Sequence, residues 1–202
     1  MTETDTERER RFDALFAAYG SDVVAYCSWR AASASDGQDA TAEVFLTAWR
    51  RLDDVPQGDA ARVWLYAAAR RVLANQRRSS RRRVALNERL TVEAYSAPQE
   101  SPALDHEEAL DHEEALVHEA LGRLRSRDRE VLLLSEWEGL SPVQIAGVLG
   151  CLTVTARGKL HRARRRFRAV FEELLAAETG HRTRMRPATG QRYITKENHE
   201  HA

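Results

Sequence analysis

The sequence predicts an all-α chain: two small helical domains joined by a flexible acidic linker. Three observations carry that expectation. Apolar residues recur at helical spacing in segment after segment, and no segment alternates with period two long enough to form a strand. The stretch AYSAPQESP, residues 94–102, sets two prolines among small and polar residues and breaks any helix running into it. The charges fall in blocks: eight arginines and no acid in residues 62–87, nine acids and no Lys or Arg in 90–122, and seven cations and no acid in 139–171. A formal net charge of zero from 31 basic and 31 acidic residues therefore conceals two basic regions, the electrostatic footprint of a polyanion binder.

Taken in order, Phe12, Leu15, Phe16 and Tyr19 fall at i, i+3, i+4 and i+7 and predict one buried helix face. Phe45, Trp49 and Leu52 do the same in a helix starting near Asp36, which Pro56 and Gly58 bring to a loop. Trp64, Leu65, Ala68 and Val72 form the stripe of a further helix rich in Ala and Arg. The first eighty or so residues thus read as a bundle of three or four helices. Beyond the linker, the hexapeptide ALDHEE occurs twice, in 103–108 and 109–114. A period of six fits no helical repeat and marks a small duplication in an acidic helix. Helices are then expected around 119–124, 126–137 and 142–149, before a long basic one over about 153–176. Ser141 before Pro142 is an N-cap followed by a first-turn proline.

The amino terminus MTETDTERERRF lacks the apolar core of a signal peptide, and the longest apolar run, 63–69, is far short of the roughly 20 residues a bilayer requires. A cytoplasmic protein without a membrane segment is expected. Cys27 and Cys151 are distant and outside any C-x-x-C pair, so two buried thiols are expected rather than a disulfide or a zinc site. His106-Glu107 and His112-Glu113 resemble the start of HExxH, but Leu110 and Leu116 stand where the second histidine is needed. No convergent carboxylate set or His/Cys cluster suggests catalysis. Neither enzyme, metal nor cofactor is expected.

The sharpest motif is EGLSPVQIAGVLGCLTVTARGKLHRARRRF. A short helix with Ile145, Val148 and Leu149 inward, a turn at 150–152 and a second helix opening at Thr153 or Thr155 are the parts of a helix-turn-helix. The second helix carries Arg157, Lys159, Arg162, Arg164, Arg165, Arg166 and Arg168, suited to phosphates and base edges.

With DATAEVFLTAWRRL (39–52), ARVWLYAAARRVLANQRR (61–78) and RSRDREVLLLSEWEGLSPVQIAGVLG before the HRAR run, the sequence resembles the bacterial RNA polymerase sigma factors of the extracytoplasmic-function class, which keep sigma domains two and four. The resemblance covers about residues 10–175. It implies domain two at 8–86, a linker at 87–105, domain four at 106–176 and a polar, disordered tail at 177–202. It also implies the partners: core RNA polymerase through its beta-prime clamp and beta flap, promoter DNA, and the anti-sigma factor that family members often have. By the same resemblance Asp39, Glu43, Phe45 and Trp49 are candidates for clamp binding, although core packing explains Phe45 and Trp49 at least as well. The loop 53–61 matches the family's specificity loop for a flipped minus-ten base. Arg70, Arg71, Asn75, Arg77 and Arg78 then face the minus-ten element, and Thr155, Arg157, Gly158, Lys159, His161 and Arg162 the minus-thirty-five element. Here the sequence departs from the family's Pro-x-Gly-Thr-Val: Leu152, Val154, Thr155 and Ala156 stand there, and Gly158 occupies a position that is often Ser. The alternative function is a helix-turn-helix regulator acting without core polymerase. The acidic block between the basic regions is expected to compete with DNA for them when the protein is alone.

Overall fold

The computed structural model describes residues 3–90 and 112–184, all helical elements and short connections. The segment expected to form domain two comprises α1 (Glu3–Ser28), α2 (Ala34–Arg50), a short 3-10 turn (Leu52–Asp54) and α3 (Asp59–Leu90). The segment expected to form domain four comprises α4 (His112–Arg123), α5 (Ser126–Glu136), α6 (Pro142–Leu149) and α7 (Thr153–Arg184). Among the described residues there is no strand, and no helix is long and apolar enough to cross a membrane.

Two helices outrun their expected ends. The backbone of α3 stays helical through Leu90, past the linker start expected at 87, and that of α7 through Arg184, past 176. No proline lies between Asp59 and Ala97 or between Thr153 and Arg186, so nothing stops either helix at the earlier point. The remaining linker and the first ALDHEE copy, and the tail beyond 184, lie outside the described residues.

Helix α2 starts at Ala34, not Asp36: the Ser33 hydroxyl accepts from the Asp36 amide as N-cap. On α1, Leu15 is buried and Phe12 and Tyr19 pack against the core, but Phe16 is half exposed, its ring edge meeting Phe45 at 4.8 Å. The helices of domain two close over Val23, Tyr26, Val44, Leu52, Leu65 and Leu73. Each such side chain removed from water contributes about 1.5–3 kcal/mol. In domain four the Arg129 guanidinium donates to the carbonyls of Leu121 (2.7 Å) and Gly122 (2.6 Å), satisfying the open end of α4. Cys27 is buried, and burial raises its thiol pKa; Cys151 is only half-buried, and both are free.

The buried side chains of both domains form one continuous cluster, running from Val23 and Leu65 to Leu134 and Ile145. At this seam α3 packs on α6 so closely that a Cβ added to Gly147 would lie 2.9 Å from Val63 Cγ1. Beside it Arg30, only 8% exposed, donates to Glu130 (3.2 Å) and Glu138 (3.0 Å) of domain four and lies 3.7 Å over the Tyr26 ring. Tyr26, stacked on Tyr66, donates a hydrogen bond from its hydroxyl to Glu130 (2.7 Å), Tyr66 donates one to Glu138 (2.9 Å), and Arg62 donates to the Glu138 carbonyl. Burial opposes the Arg30 charge, but Glu130, Tyr26 and Glu138 outweigh it and raise its pKa. Burial, then the facing carboxylates Glu130 and Glu138, hold the phenols of Tyr26 and Tyr66 above the ordinary tyrosine value. Trp29 stacks on His118 of α4 at 5.3 Å, extending the seam along α1.

Candidate nucleic-acid interface

The helix-turn-helix is built by local chemistry. The Ser141 hydroxyl accepts from the Gln144 amide while the Gln144 side chain accepts from the Ser141 amide, so a reciprocal cap starts α6 behind Pro142. Gly150 ends it at φ +63°, a left-handed conformation that glycine adopts without a Cβ penalty, and the Cys151 amide bonds back to the Ala146 carbonyl at 3.0 Å. Helix α7 then buries Ala156, Leu160 and Ala163 against α5 and α6, with Phe167 and Val170 half-buried behind them. That stripe fixes which side chains face outward.

Of the residues expected at the minus-thirty-five element, Thr155, Arg157, His161 and Arg162 are exposed, while Gly158 and Lys159 are half-buried. The basic run is not one uniform face. Arg164 is paired with Glu136 (2.7 Å) and reaches Ser135, and Arg166 is paired with Asp128, so both are turned onto α5. Arg157, Arg162, Arg165 and Arg168 have no carboxylate partner among the described residues and point outward. Sequence reasoning separated neither Arg165 nor the exposed Val154 from their neighbours; helical phase measured from Ala156 and Leu160 is the signal that does so.

The minus-ten candidates Arg70, Arg71, Asn75, Arg77 and Arg78 all lie exposed on α3. Asn75 accepts from Arg78, and Arg77 donates to the Arg30 carbonyl at 2.6 Å. Asn75, Arg78, Arg81 and Arg82 line an open basic groove of about 450 Å³. This positive surface reaches α5, where burial and then the Arg77 charge lower the Arg129 pKa. In the loop 53–61, Asp53, Asp54 and residues 56–60 are exposed, while Val55 and Ala61 anchor it in the core. The Tyr19 hydroxyl donates to the Gly58 carbonyl and Arg11 to the Val55 carbonyl.

On α2, Asp39 and Glu43 are exposed one turn apart, with Leu46 continuing the same face. Phe45 is buried and packs edge-on against Phe12 and Phe16, whereas Trp49 is partly exposed and meets Phe12 at 5.2 Å. Phe12, Phe45, Leu46 and Trp49, with Glu9, Asp13 and Ala42, line an open groove of about 580 Å³. The structure thus leaves Asp39 and Glu43 exposed on α2, puts Trp49 at a groove whose acids are Glu9 and Asp13, and turns most of Phe45 to the core. No group of three or more His, Cys, Asp or Glu is placed to hold a metal ion among the described residues.

Comparison with known proteins matches both halves of the chain. The family model for sigma-70 region 2 matches residues 15–83, and that for region 4 matches residues 114–167. The ECF RNA polymerase sigma factor SigL of Mycobacterium tuberculosis is 30% identical over 167 residues, covering 80% of this chain and 89% of the relative. The RNA polymerase sigma factor CnrH of Cupriavidus metallidurans is 27% identical, covering 81% and 88% of the two chains. Among solved structures, the sigma factor RpoE in complex with the anti-sigma factor NepR from Bartonella quintana superposes with a TM-score of 0.56 at 22% identity, over 85% of this chain and 98% of that one.

Proposed function

Because this chain belongs to the extracytoplasmic-function class of the sigma-70 family, we propose that it directs core RNA polymerase to promoters, with α7 reading the minus-thirty-five element and α3 the minus-ten element. The observation that carries the division of labour is that each matched region presents its own exposed, cationic helix face. Asp39 and Glu43, with exposed Leu46 on the same face of α2, offer a clamp partner acids flanked by apolar surface. The loop 53–61, anchored at both ends, takes the flipped minus-ten base. We place this work in the cytoplasm. An anti-sigma factor is a further partner in this reading, since the structurally similar RpoE is in complex with the anti-sigma factor NepR and CnrH with the cytosolic domain of CnrY.

In this reading the domains part at the seam during initiation. The two promoter elements lie about 25 base pairs apart, roughly 85 Å along a duplex rising ~3.4 Å per pair. The reading faces on α3 and α7 belong to domains held together through the packing of α3 on α6.

Run-off transcription with core polymerase on a randomised promoter library tests the assignment. Wild type selects a two-part promoter. Asp39→Arg with Glu43→Arg abolishes core binding at unchanged helical content, and Arg157→Ala shifts the selected upstream sequence more than Arg166→Ala, whose side chain is engaged by Asp128. Equal core affinity after the charge reversal removes the clamp site; uniform loss from both arginine variants removes the reading face.

A further inference from the structure

The three most exposed large apolar side chains among the described residues all sit in the helix-turn-helix: Leu152 (73%), Val154 (72%) and Val143 (63%). Val154 also has a defined phase. With about 100° per residue, the stripe of α7 opposite buried Ala156, Leu160 and Ala163 runs through Val154, Gly158, His161 and Arg165. One turn beyond Val154, therefore, the outermost position carries no side chain. Only the Arg162 guanidinium, 3.3 Å from where a Cβ would be, approaches Gly158. Glycine inside a helix costs about 1 kcal/mol relative to alanine, so this notch stabilises nothing in the free protein. Arg157 and Arg162 flank it, Arg165 and Arg168 continue the unpaired cations along the helix, and the nearby acids Asp128 and Glu136 are engaged by Arg166 and Arg164.

An apolar knob beside a glycine notch overlain only by the Arg162 guanidinium, at the amino end of a cationic recognition helix, is shaped for one kind of occupant. The cations demand a polyanion, and the first residues of such a helix are the ones that reach base edges. The only apolar group displayed in the major groove is the C5-methyl of thymine. We propose that Val154 is a specificity-determining residue that packs on a thymine methyl of the upstream element, and that Gly158 lets the helix backbone sit close enough for it to do so. This rests on the assignment of α7 to the minus-thirty-five element and adds to it the identity of one base and the residue that reads it.

The test uses the full chain bound to core polymerase on a duplex carrying the selected upstream element. Each thymine on either strand is replaced singly by deoxyuridine, which keeps every hydrogen-bonding group and removes only the methyl. At one position wild type loses about three- to fivefold in affinity, the worth of one buried methyl. Val154→Ala binds the thymine duplex more weakly, and its thymine-to-uridine ratio at that position falls to near one. Val154→Thr, which keeps one methyl at similar shape, retains part of the ratio. Gly158→Ala weakens all sequences together by holding the helix off the groove. The proposal is overturned if no thymine is sensitive, or if the ratio is unchanged in Val154→Ala. Loss of core affinity in Val154→Ala at an unchanged ratio also overturns it, by assigning the knob to a protein partner. Absence of any upstream sequence preference in wild type removes the α7 assignment itself, and this proposal with it.

Discussion

Arg30 at the seam and Arg157 on the outer face of α7 carry the same guanidinium into opposite surroundings. Arg30 is enclosed, with Glu130, Glu138, the Tyr26 carbonyl and the Tyr26 ring all directed at it. Only its Nη2 is left without a hydrogen-bond partner, the one such buried side-chain atom among the described residues. Arg157 is exposed and has no carboxylate partner there. A cation surrounded by its own protein's acids has its charge consumed internally and holds structure together; one left in water keeps its charge for a polyanion. The chain uses both, and the seam joins the two domains whose outer faces are left open.

The largest effect that would break this contrast comes from Arg30→Ala. Removing one member of a buried, hydrogen-bonded ion cluster costs about 3–5 kcal/mol, because the remaining charges stay desolvated without a partner. Glu130 and Glu138 would then share the space with no cation between them. With a fluorescence-transfer pair on the exposed positions Gln38 and Glu172, the high-transfer state should be lost and thermal unfolding should separate into two transitions. Arg164→Ala, at a solvent-exposed pair, should change stability by only about 0–1 kcal/mol. Unchanged transfer in Arg30→Ala would assign the closed arrangement to the shared apolar core alone.

The tyrosines sharpen the same contrast along the pH axis. Tyr26 and Tyr66 titrate above their ordinary value of about 10 in the folded protein, because burial and the facing carboxylates disfavour the phenolate. Above that pH the folded state binds more protons than the unfolded chain, so stability falls as pH rises; below it the contribution is present in full. Urea unfolding followed from pH 8 to 11 should show this fall beginning at about 10. Tyr66→Phe should be less stable at neutral pH by about 1.5–3 kcal/mol, the worth of a hydrogen bond to a charged group, and should show a shallower alkaline fall. An identical alkaline slope in the variant would place the titrating group elsewhere.

What could be read from the sequence was what neighbours in the chain decide. The Ser141–Pro142 start, the Gly150 turn and the apolar phase of α6 are set within a few residues, and they form as expected. The seam is decided elsewhere: Arg30 pairs with acids 100 and 108 residues away, and nothing beside it in the chain distinguishes it from a surface arginine. Counting charges by block also overstated the free cations, since Arg62, Arg77, Arg164 and Arg166 find partners in space that a linear count does not see. Phe16 and Phe45 show the same limit at finer scale. Helical spacing identified an apolar stripe on α1, but only the placement of α2 decided that Phe45 would be enclosed and Phe16 left at the rim.

The smallest effect tests the seam where it has no charge at all. Gly147 faces Val63, and a Cβ there would lie 2.9 Å from Cγ1 of a β-branched side chain with little rotamer freedom. Overpacking a contact of this kind costs about 1–3 kcal/mol. Alanine in place of glycine also returns about 1 kcal/mol of helix propensity to α6, so Gly147→Ala should destabilise the closed protein only slightly, by roughly 0–2 kcal/mol. The two contributions separate in a double mutant. Val63→Ala removes the obstructing methyls, and on that background Gly147→Ala should become stabilising, because the propensity gain remains and the clash does not. A coupling of about 1 kcal/mol or more between the two positions, read from urea midpoints of the four proteins, would show that α3 and α6 meet in solution. Additive changes would mean that the seam is open there even when Arg30 is intact.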